Sequence, residues 1–213
     1  SLKPDLFMLF SSMAVYGNDV RINNHSEFSE KSATDPNSIY GYTKLASEKI
    51  LELSSFPYVP LRLFNIFGPG QDMHNNKQGM VSIYLADLLK TGSISVKGGL
   101  HRTRDFVFID DLISIVMKIF DYKIHQKCKN SKPINISTGT SHSVEQLVNY
   151  LFALYNKKLK KSAKLICLDS TPGDMEFSRG NNSYLKSMIG EFEFTKFEVG
   201  IEKMFDWALT LKL

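Results

Sequence analysis

Short apolar runs alternate along the chain with longer segments whose apolar residues recur at helical spacing. Short runs bounded by turn residues predict buried strands, whereas a spacing of three to four residues predicts amphipathic helices. The predicted strands are residues 5–10, 58–65, 94–97, 105–109, 134–137 and 164–168. The predicted helices are residues 38–55, 80–90, 110–122, 143–156 and a last segment that follows Thr195. This alternation favours an α/β architecture built on a parallel sheet.

Particular residues mark where helices start and where loops run. Ser143-x-x-Gln146 and Thr195-x-x-Glu198 have the spacing of a capping box, in which the two side chains satisfy the first free amides of a helix. Residues 18–36 and 68–79 are polar and rich in turn formers, which predicts loops. A loop as long as 68–79 is uncommon without a purpose, so we expect it to cover a substrate.

The composition is that of an ordinary soluble, folded protein, with 43% hydrophobic and 23% charged residues among 213. A net charge of +4 is spread along the chain. Its local run, Lys157–Lys161, lacks interleaved aromatics, which favours a solvated helix end over a nucleic-acid site. Cys128 and Cys167 form no ligand pattern, so no metal site is predicted. Without a membrane-length apolar run or a signal peptide, a cytoplasmic protein with no membrane partner is expected.

The most informative spacing is Tyr40-x-x-x-Lys44 at the start of the first predicted helix. Four residues make about one helical turn, so the phenol and the ammonium project from one face. A cation beside a phenol lowers its pKa from about 10, which makes tyrosine a usable base for oxidising an alcohol. Ser12, at the end of the first predicted strand, supplies a hydroxyl to hold that alcohol. Tyr16 and Tyr42 have no lysine four residues later, and we predict structural roles for both.

Three further motifs follow this pair in chain order: Arg62-Leu-Phe-Asn-Ile-Phe-Gly-Pro69, Arg104-Asp-Phe-Val-Phe-Ile-Asp-Asp111 and Pro172-Gly-Asp174. Together with Ser12 and the Tyr/Lys pair, they resemble the extended short-chain dehydrogenase/reductase family. Within that family the resemblance is to the NAD-dependent epimerase/dehydratase group, which acts on nucleotide sugars in polysaccharide precursor synthesis. It covers nearly the whole chain and implies a Rossmann-type parallel sheet plus a smaller α/β substrate-binding domain.

The resemblance also implies a role for each motif residue. Tyr40 would take the proton of the sugar 4-hydroxyl, with Ser12 hydrogen-bonded to the same oxygen and Lys44 bound to the nicotinamide ribose of NAD. Phe64 would lie beside the nicotinamide through its backbone. The substrate would meet Asn65 and Arg104 at the diphosphate, together with Asp174 and Ser178. For Arg62 we predict only that it ties loops together.

The two residues after Ser12 help to choose among the reactions of the family. Dehydratases typically carry acidic residues there, because elimination of water requires an additional acid or base. Met13 and Ala14 cannot transfer protons, which favours epimerisation through a 4-keto sugar, and we predict a UDP-sugar 4-epimerase. A dehydratase or reductase of the same family, acting on GDP- or dTDP-sugars, is one alternative. An inactive fragment that only binds nucleotide sugars is the other.

This sequence departs from the family pattern at several positions. Thr171 stands where an arginine is common, and Gln78 where an asparagine is common. The small side chain of Ser178 favours tolerance for N-acetylated sugars. The largest departure is that no Gly-x-x-Gly-x-x-Gly turn, which would hold the pyrophosphate of NAD, occurs in the 213 residues. We therefore expect the chain to be the C-terminal part of a longer enzyme and to bind NAD poorly alone.

The same resemblance divides the chain into two regions. Residues 1–66 are predicted to be the C-terminal part of the NAD-binding Rossmann domain and to include the catalytic helix. Residues 67–213 are predicted to form mainly the nucleotide-sugar-binding region, with some segments returning to the Rossmann domain. For the complete enzyme a homodimer is expected, with the helix that carries Tyr40 at the interface.

Overall fold

The computed structural model describes residues 4–17, 27–75, 77, 79–126, 132–170 and 175–211. The strands are β1 (Phe7–Ser12), β2 (Tyr58–Leu63), β3 (Asn65–Phe67), β4 (Ser93–Lys97), β5 (Thr103–Arg104), β6 (Phe106–Phe108), β7 (Ile134–Ile136), β8 (His142–Ser143) and β9 (Lys164–Leu168). The helices are α1 (Ile39–Glu52), α2 (Met80–Thr91), α3 (Ile109–Gln126), α4 (Val144–Leu159), α5 (Ser183–Ile189) and α6 (Phe197–Leu209). A short 3₁₀ turn, Met13–Val15, follows β1. The predicted α/β class is confirmed.

A parallel sheet in the order β1-β2-β7 carries the first part of the site. Its register places Ser12 opposite Leu63, and Leu63 opposite Ile136, so the three strands end side by side. Three two-stranded sheets complete the strands: β3 with β6 and β4 with β9 are parallel, and β5 with β8 is antiparallel. The carboxyl ends of parallel strands form the edge at which α/β proteins commonly bind ligands.

The strand predicted over residues 58–65 divides at Phe64. The backbone N–H of Phe64 still donates to Ile136 O at 3.1 Å, but the next residue, Asn65, pairs with Phe106 in another sheet. The apolar pattern continues through the division, and this is why the sequence predicted one strand. Asn65 therefore lies where the chain crosses from one sheet to the next.

The first strand was predicted to be buried because residues 6–10 are all apolar, and this was wrong: Phe7 and Phe10 are exposed, and Met8 and Leu9 are only partly buried. Phe7 is 42% exposed and Phe10 is 47% exposed. Among the described residues β1 pairs on one side only, with β2. The strand thus lies at the edge of the described sheet, with apolar side chains in contact with solvent.

The two predicted capping boxes had different outcomes. Ser143 accepts from the Gln146 N–H at 3.0 Å while the Gln146 side chain accepts from the Ser143 N–H at 2.8 Å, so the box that opens α4 is confirmed. The box at Thr195 was wrong, because α6 starts after Lys196 without a side-chain cap. Thr195 instead donates from its N–H and its hydroxyl to the Asp111 carboxylate of α3, both at 2.9 Å.

Two apolar clusters fill the interior. One lies between the β1-β2-β7 sheet and helices α3 and α5, and it includes Leu61, Ile115, Ile134 and Leu185. The other joins α2, α4 and α6 to β4 and includes Leu85, Ile94, Leu147 and Phe205. The pairing of β7 with β2 returns the chain to the first sheet after residue 133. The division into regions 1–66 and 67–213 stays a prediction.

Candidate active site

The start of α1 lies directly against the turn that follows Ser12. The Ser38 hydroxyl accepts from the Gly41 N–H at 3.1 Å and so caps the helix. A Cβ on Gly41 would come within 2.5 Å of Ala14 O, so only glycine permits this approach. Because Tyr40 precedes Gly41 and Ser12 lies two residues before Ala14, this contact brings the two predicted catalytic residues into one region.

Lys44 lies between Tyr40 and the end of β1. Its Nζ donates to Phe10 O at 2.7 Å and is 5.6 Å from the centroid of the Tyr40 ring. The Tyr40 side chain is 55% exposed, while Ser12 is nearly buried and its Oγ accepts from the Ala14 N–H at 3.2 Å. A phenol, an ammonium and a hydroxyl are thus gathered at the carboxyl end of β1, with the phenol open to a ligand.

The competing phenols are placed differently. Tyr16 is fully buried, stacks on Phe28 at 5.0 Å between ring centroids, and donates from its hydroxyl to Asn135 Oδ1 at 2.6 Å. Burial raises the pKa of Tyr16 to about 12, against the effect of the nearby Arg62 charge. A phenol with that pKa is a poor base at neutral pH. Tyr42 is exposed on α1, and Ala46 stands four residues after it.

Asn65 and Ser178, both predicted at the substrate, are in direct contact. Asn65 Nδ2 donates to Ser178 Oγ at 3.2 Å and to Asp105 O at 3.1 Å. Ser178 is buried, and its N–H donates to Thr103 O at 3.1 Å. Since Leu63 lies opposite Ser12 in the sheet, Asn65 follows at the same edge as the predicted catalytic residues.

Arg104 is buried beside a second arginine. It donates to Thr103 O at 2.8 Å and to Glu176 O at 3.4 Å. Burial first, and then the charge of Arg102, lower the pKa of Arg104 to about 10, so it remains a cation at neutral pH. Tyr84 of α2 lies near both guanidinium groups, and burial raises its pKa although their charges act in the opposite direction. This concentration of positive charge suits an anionic ligand such as a diphosphate.

Asn65, Arg104 and Ser178 form the second group of residues in the site. Asp105 lies at the centre of this second group, and the sequence did not single it out. Its carboxylate accepts from the Thr138 N–H at 2.9 Å, the Thr138 hydroxyl at 2.8 Å, the Gly139 N–H at 3.0 Å and the Gly180 N–H at 3.3 Å. Burial raises the pKa of Asp105 to about 6, although these donors act in the opposite direction. The available signal was a charged residue at the start of an otherwise apolar predicted strand.

The remaining predicted residues are less directly placed. Phe64 is buried, and its side chain belongs to the cluster under the first sheet, so only its backbone is available at the sheet edge. Arg62 does not tie loops together as predicted, because it pairs with Glu48 of α1 at 2.7 Å. Asp174, Thr171 and Gln78 lie outside the described residues.

A model of the NAD dependent epimerase/dehydratase family matches residues 1–136. The chain belongs to this family. Among curated relatives, UDP-glucuronate 4-epimerase 3 of Arabidopsis thaliana is 28% identical over 216 residues, which are 93% of this chain and 47% of that protein. The dTDP-4-dehydro-6-deoxyglucose reductase of Escherichia coli is 28% identical over 152 residues, which are 70% of this chain and 45% of that protein. The chain thus spans about half the length of these relatives.

Solved structures of this family share the fold. The UDP-glucuronic acid 4-epimerase of Bacillus cereus, in complex with UDP-glucuronic acid and NAD, superposes with a TM-score of 0.83 at 25% identity. The superposition covers 98% of this chain and 63% of the other.

Among the residues that the structure describes, no helix is long and apolar enough to cross a membrane, and no group of three metal-ligating side chains could hold a metal ion.

The polar groups at the end of β1 fit one end of a dinucleotide. The Lys44 ammonium and the Tyr40 and Ser12 hydroxyls are donors of the kind that ribose hydroxyls accept from. The 213 residues contain no Gly-x-x-Gly-x-x-Gly turn for the pyrophosphate. The donors at the end of β1 are therefore suited to ribose hydroxyls of NAD.

Proposed function

We propose that this chain carries the catalytic and substrate-binding residues of an NAD-dependent nucleotide-sugar epimerase, most specifically a UDP-sugar 4-epimerase. The observation that carries the proposal is that Tyr40 and Lys44 of α1 lie at the carboxyl end of β1, the end of the strand that carries Ser12. Contact of Gly41 with Ala14 and the hydrogen bond from Lys44 to Phe10 O bring them together. NAD, when bound, supplies a hydride acceptor and donor for the sugar.

In this proposal the protein side of the reaction is proton transfer at the sugar 4-hydroxyl. Tyr40 holds and moves the proton, since its hydroxyl is open to the ligand. Lys44 stabilises the phenolate and binds the ribose, and Ser12 fixes the reacting oxygen. The proton returns from Tyr40 after the 4-keto sugar has presented its other face. Epimerisation needs no further acid or base, which agrees with the apolar Met13 and Ala14.

The second group of residues is proposed to bind the nucleotide sugar. Arg104 faces the diphosphate with its fixed charge, and Asn65 reaches the same ligand. Ser178 is small and buried against Asn65, at a hydrogen-bond distance of 3.2 Å. A larger side chain there would reduce the space around the sugar, so we propose that N-acetylated UDP-sugars are accepted. Asp174 is proposed to contact the same substrate.

Calorimetric titration of the 213-residue chain with UDP, UDP-glucuronate, UDP-N-acetylglucosamine and NAD tests this directly. We expect the nucleotide sugars to bind and NAD to bind weakly. If no nucleotide sugar binds, the proposal is wrong for this chain. Chromatography of the products, from one reaction with excess NAD and a parallel one with NADPH, then separates the reactions. Epimerisation leaves water content and redox state unchanged, dehydration yields a 4-keto-6-deoxy sugar, and reduction consumes NADPH.

The change Tyr40→Phe tests the proton-transfer role. The phenyl ring keeps its shape but cannot accept a proton, so turnover should be lost while affinity for the nucleotide sugar stays within about twofold. Tyr42→Phe is the matched control, because Tyr42 lies on the same helix and is 56% exposed against 55% for Tyr40. Retained turnover in Tyr40→Phe would remove Tyr40 as the base.

For the complete protein we also propose a homodimer that uses the outer face of α1. Apolar side chains on that helix are open to solvent, with Ile39 85% exposed and Ile50 67% exposed. An isoleucine in contact with water favours association, because its burial is stabilising. Sedimentation of Ile39→Lys and of the wild type would test this, and an unchanged mass would count against the α1 interface.

A further inference from the structure

α1 carries the proposed catalytic residues, yet few of its apolar side chains are buried. Of its fourteen residues only Gly41, Glu48 and Leu51 are buried. A surface helix normally holds its position through an apolar stripe that faces the core. The position of Tyr40 over the end of β1 must therefore depend heavily on polar contacts.

Glu48 makes the most enclosed of these contacts. It lies one helical turn after Lys44 and two turns after Tyr40, so the three side chains follow one side of α1. Its carboxylate accepts from Arg62 Nε at 3.0 Å, from the second Arg62 nitrogen at 2.7 Å, and from the Ser11 hydroxyl at 2.5 Å. The Glu48 and Arg62 side chains are 4% and 6% exposed.

The partners of Glu48 belong to both strands that end beneath the site. Ser11 stands between Phe10, whose carbonyl accepts from Lys44, and Ser12, which is proposed to hold the reacting oxygen. Arg62 lies opposite Ser11 on β2. Two successive turns of α1, at Lys44 and Glu48, are therefore bonded to two successive residues of β1. These bonds fix the rotation of the helix about its axis and its position along β1.

The Arg62 guanidinium is also held in a fixed position by its neighbours. Its carbon lies 4.8 Å from the Tyr16 ring centroid, and Tyr16 is in turn hydrogen-bonded to Asn135 of β7. Although burial acts against the charge, the Glu48 carboxylate raises the pKa of Arg62, so the pair remains ionic. A two-point fork between planar groups permits little sliding of α1 along the sheet.

We propose that Glu48, held by Arg62 and Ser11, is the positioning residue that keeps Tyr40 and Lys44 in line with Ser12. This rests on the proposed function for its catalytic consequence, but the placement of α1 is a property of the chain alone. Glu48 touches neither the substrate nor the cofactor in this assignment. It acts through the helix that carries both reacting groups.

Glu48→Gln tests the assignment, because glutamine keeps the size of the side chain but presents an amide nitrogen to Arg62. Hydrogen exchange without ligands should be about tenfold faster at the α1 amides and unchanged in α4 and α6. With nucleotide sugar and NAD, kcat should fall about tenfold or more while KM stays within about twofold, as expected when only the alignment of reacting groups is lost.

The matched control is Glu52→Gln. Glu52 lies on the same helix and pairs with Lys49 at 2.8 Å, but both side chains are more than half exposed. It should leave exchange and kinetics unchanged. If Glu48→Gln does not fold, Arg62→Lys replaces it, because lysine keeps the charge but lacks the fork, and it should loosen α1 in the same selective way.

Three outcomes separate the possibilities. Exchange in α1 that is unchanged, or that rises equally in all helices, would overturn the positioning role. Faster exchange confined to α1 with an unchanged kcat would also overturn it. Failure of the wild-type chain to bind nucleotide sugar would count against the proposed function instead, and the exchange result would still decide whether Glu48 fixes α1.

Discussion

Asp105 provides the sharpest test of how the substrate side is held together. Its carboxylate joins the start of β6 to Thr138, Gly139 and Gly180, while its own carbonyl oxygen accepts from Asn65. Asp105→Asn keeps one oxygen but turns an amide nitrogen toward two N–H groups. The charge disappears and two donors lose their acceptor.

The magnitude follows from the effect of burial on the carboxyl group. Burial raises the pKa of Asp105 from 3.8 to about 6, and each pKa unit corresponds to about 1.4 kcal/mol. Between these two values the folded state binds more protons than the unfolded state, so the free energy of unfolding falls as pH rises. The stability contribution present below pH 3.8 is lost as pH rises through about 6, by about 3 kcal/mol in total.

Urea unfolding of the wild type and of Asp105→Asn across this pH range measures the effect. Other carboxyl groups titrate in both proteins, so the difference between the two free energies of unfolding isolates Asp105. We expect the wild type to lose about 3 kcal/mol relative to the variant from acid to neutral pH. A difference that does not change with pH would refute the reasoning. Carbon NMR of the wild type gives an independent reading, since the Asp105 carboxyl should titrate near pH 6.

Two further changes test other parts of the site. Arg104→Ala should weaken UDP-sugar binding by about 1.5–3 kcal/mol, because it removes a charge-assisted contact. Calorimetry measures the loss, and Lys157→Ala, which removes an exposed cation, is the control. An unchanged affinity in Arg104→Ala would mean that Arg104 has a structural role only. Gly41→Ala should lower the free energy of unfolding by about 1–3 kcal/mol, although alanine favours helices, since its Cβ would come within 2.5 Å of Ala14 O. A melting temperature equal to or above that of the wild type would show that the turn can move away.

The parts of the site that could be predicted from the sequence depend on local spacing. Tyr40 and Lys44 share a helix face because four residues make a turn, and the box at Ser143 forms within its own helix. Contacts between distant segments were missed. Thr195 has the residue type and spacing of a cap, but tertiary packing offers it Asp111 instead.

The same distinction explains the two largest omissions. Glu48 looks like any charged residue on a solvated helix, and only the pairing of β1 with β2 brings Ser11 and Arg62 to it. Asp105 is only the first residue of the strand predicted over 105–109, and its four donors come from residues 138, 139 and 180. Neither role has a local pattern, because each depends on which strands meet.

The parallel pairing of the strands also determines when the site can form during folding. Phe7 pairs with Tyr58, Leu61 with Ile134, and Ser93 with Lys164, so each pairing closes a loop of roughly fifty residues or more. Chains dominated by such distant contacts fold slowly, because the entropy of closure is lost before the contacts form. α1 can form early from local contacts, but Ser12 on β1 and Asn65 after β2 reach the same sheet edge only when β1 has paired with β2. The edge at which the chemistry is proposed thus depends on a pairing of distant segments, and it cannot be assembled from α1 and its neighbours in sequence alone.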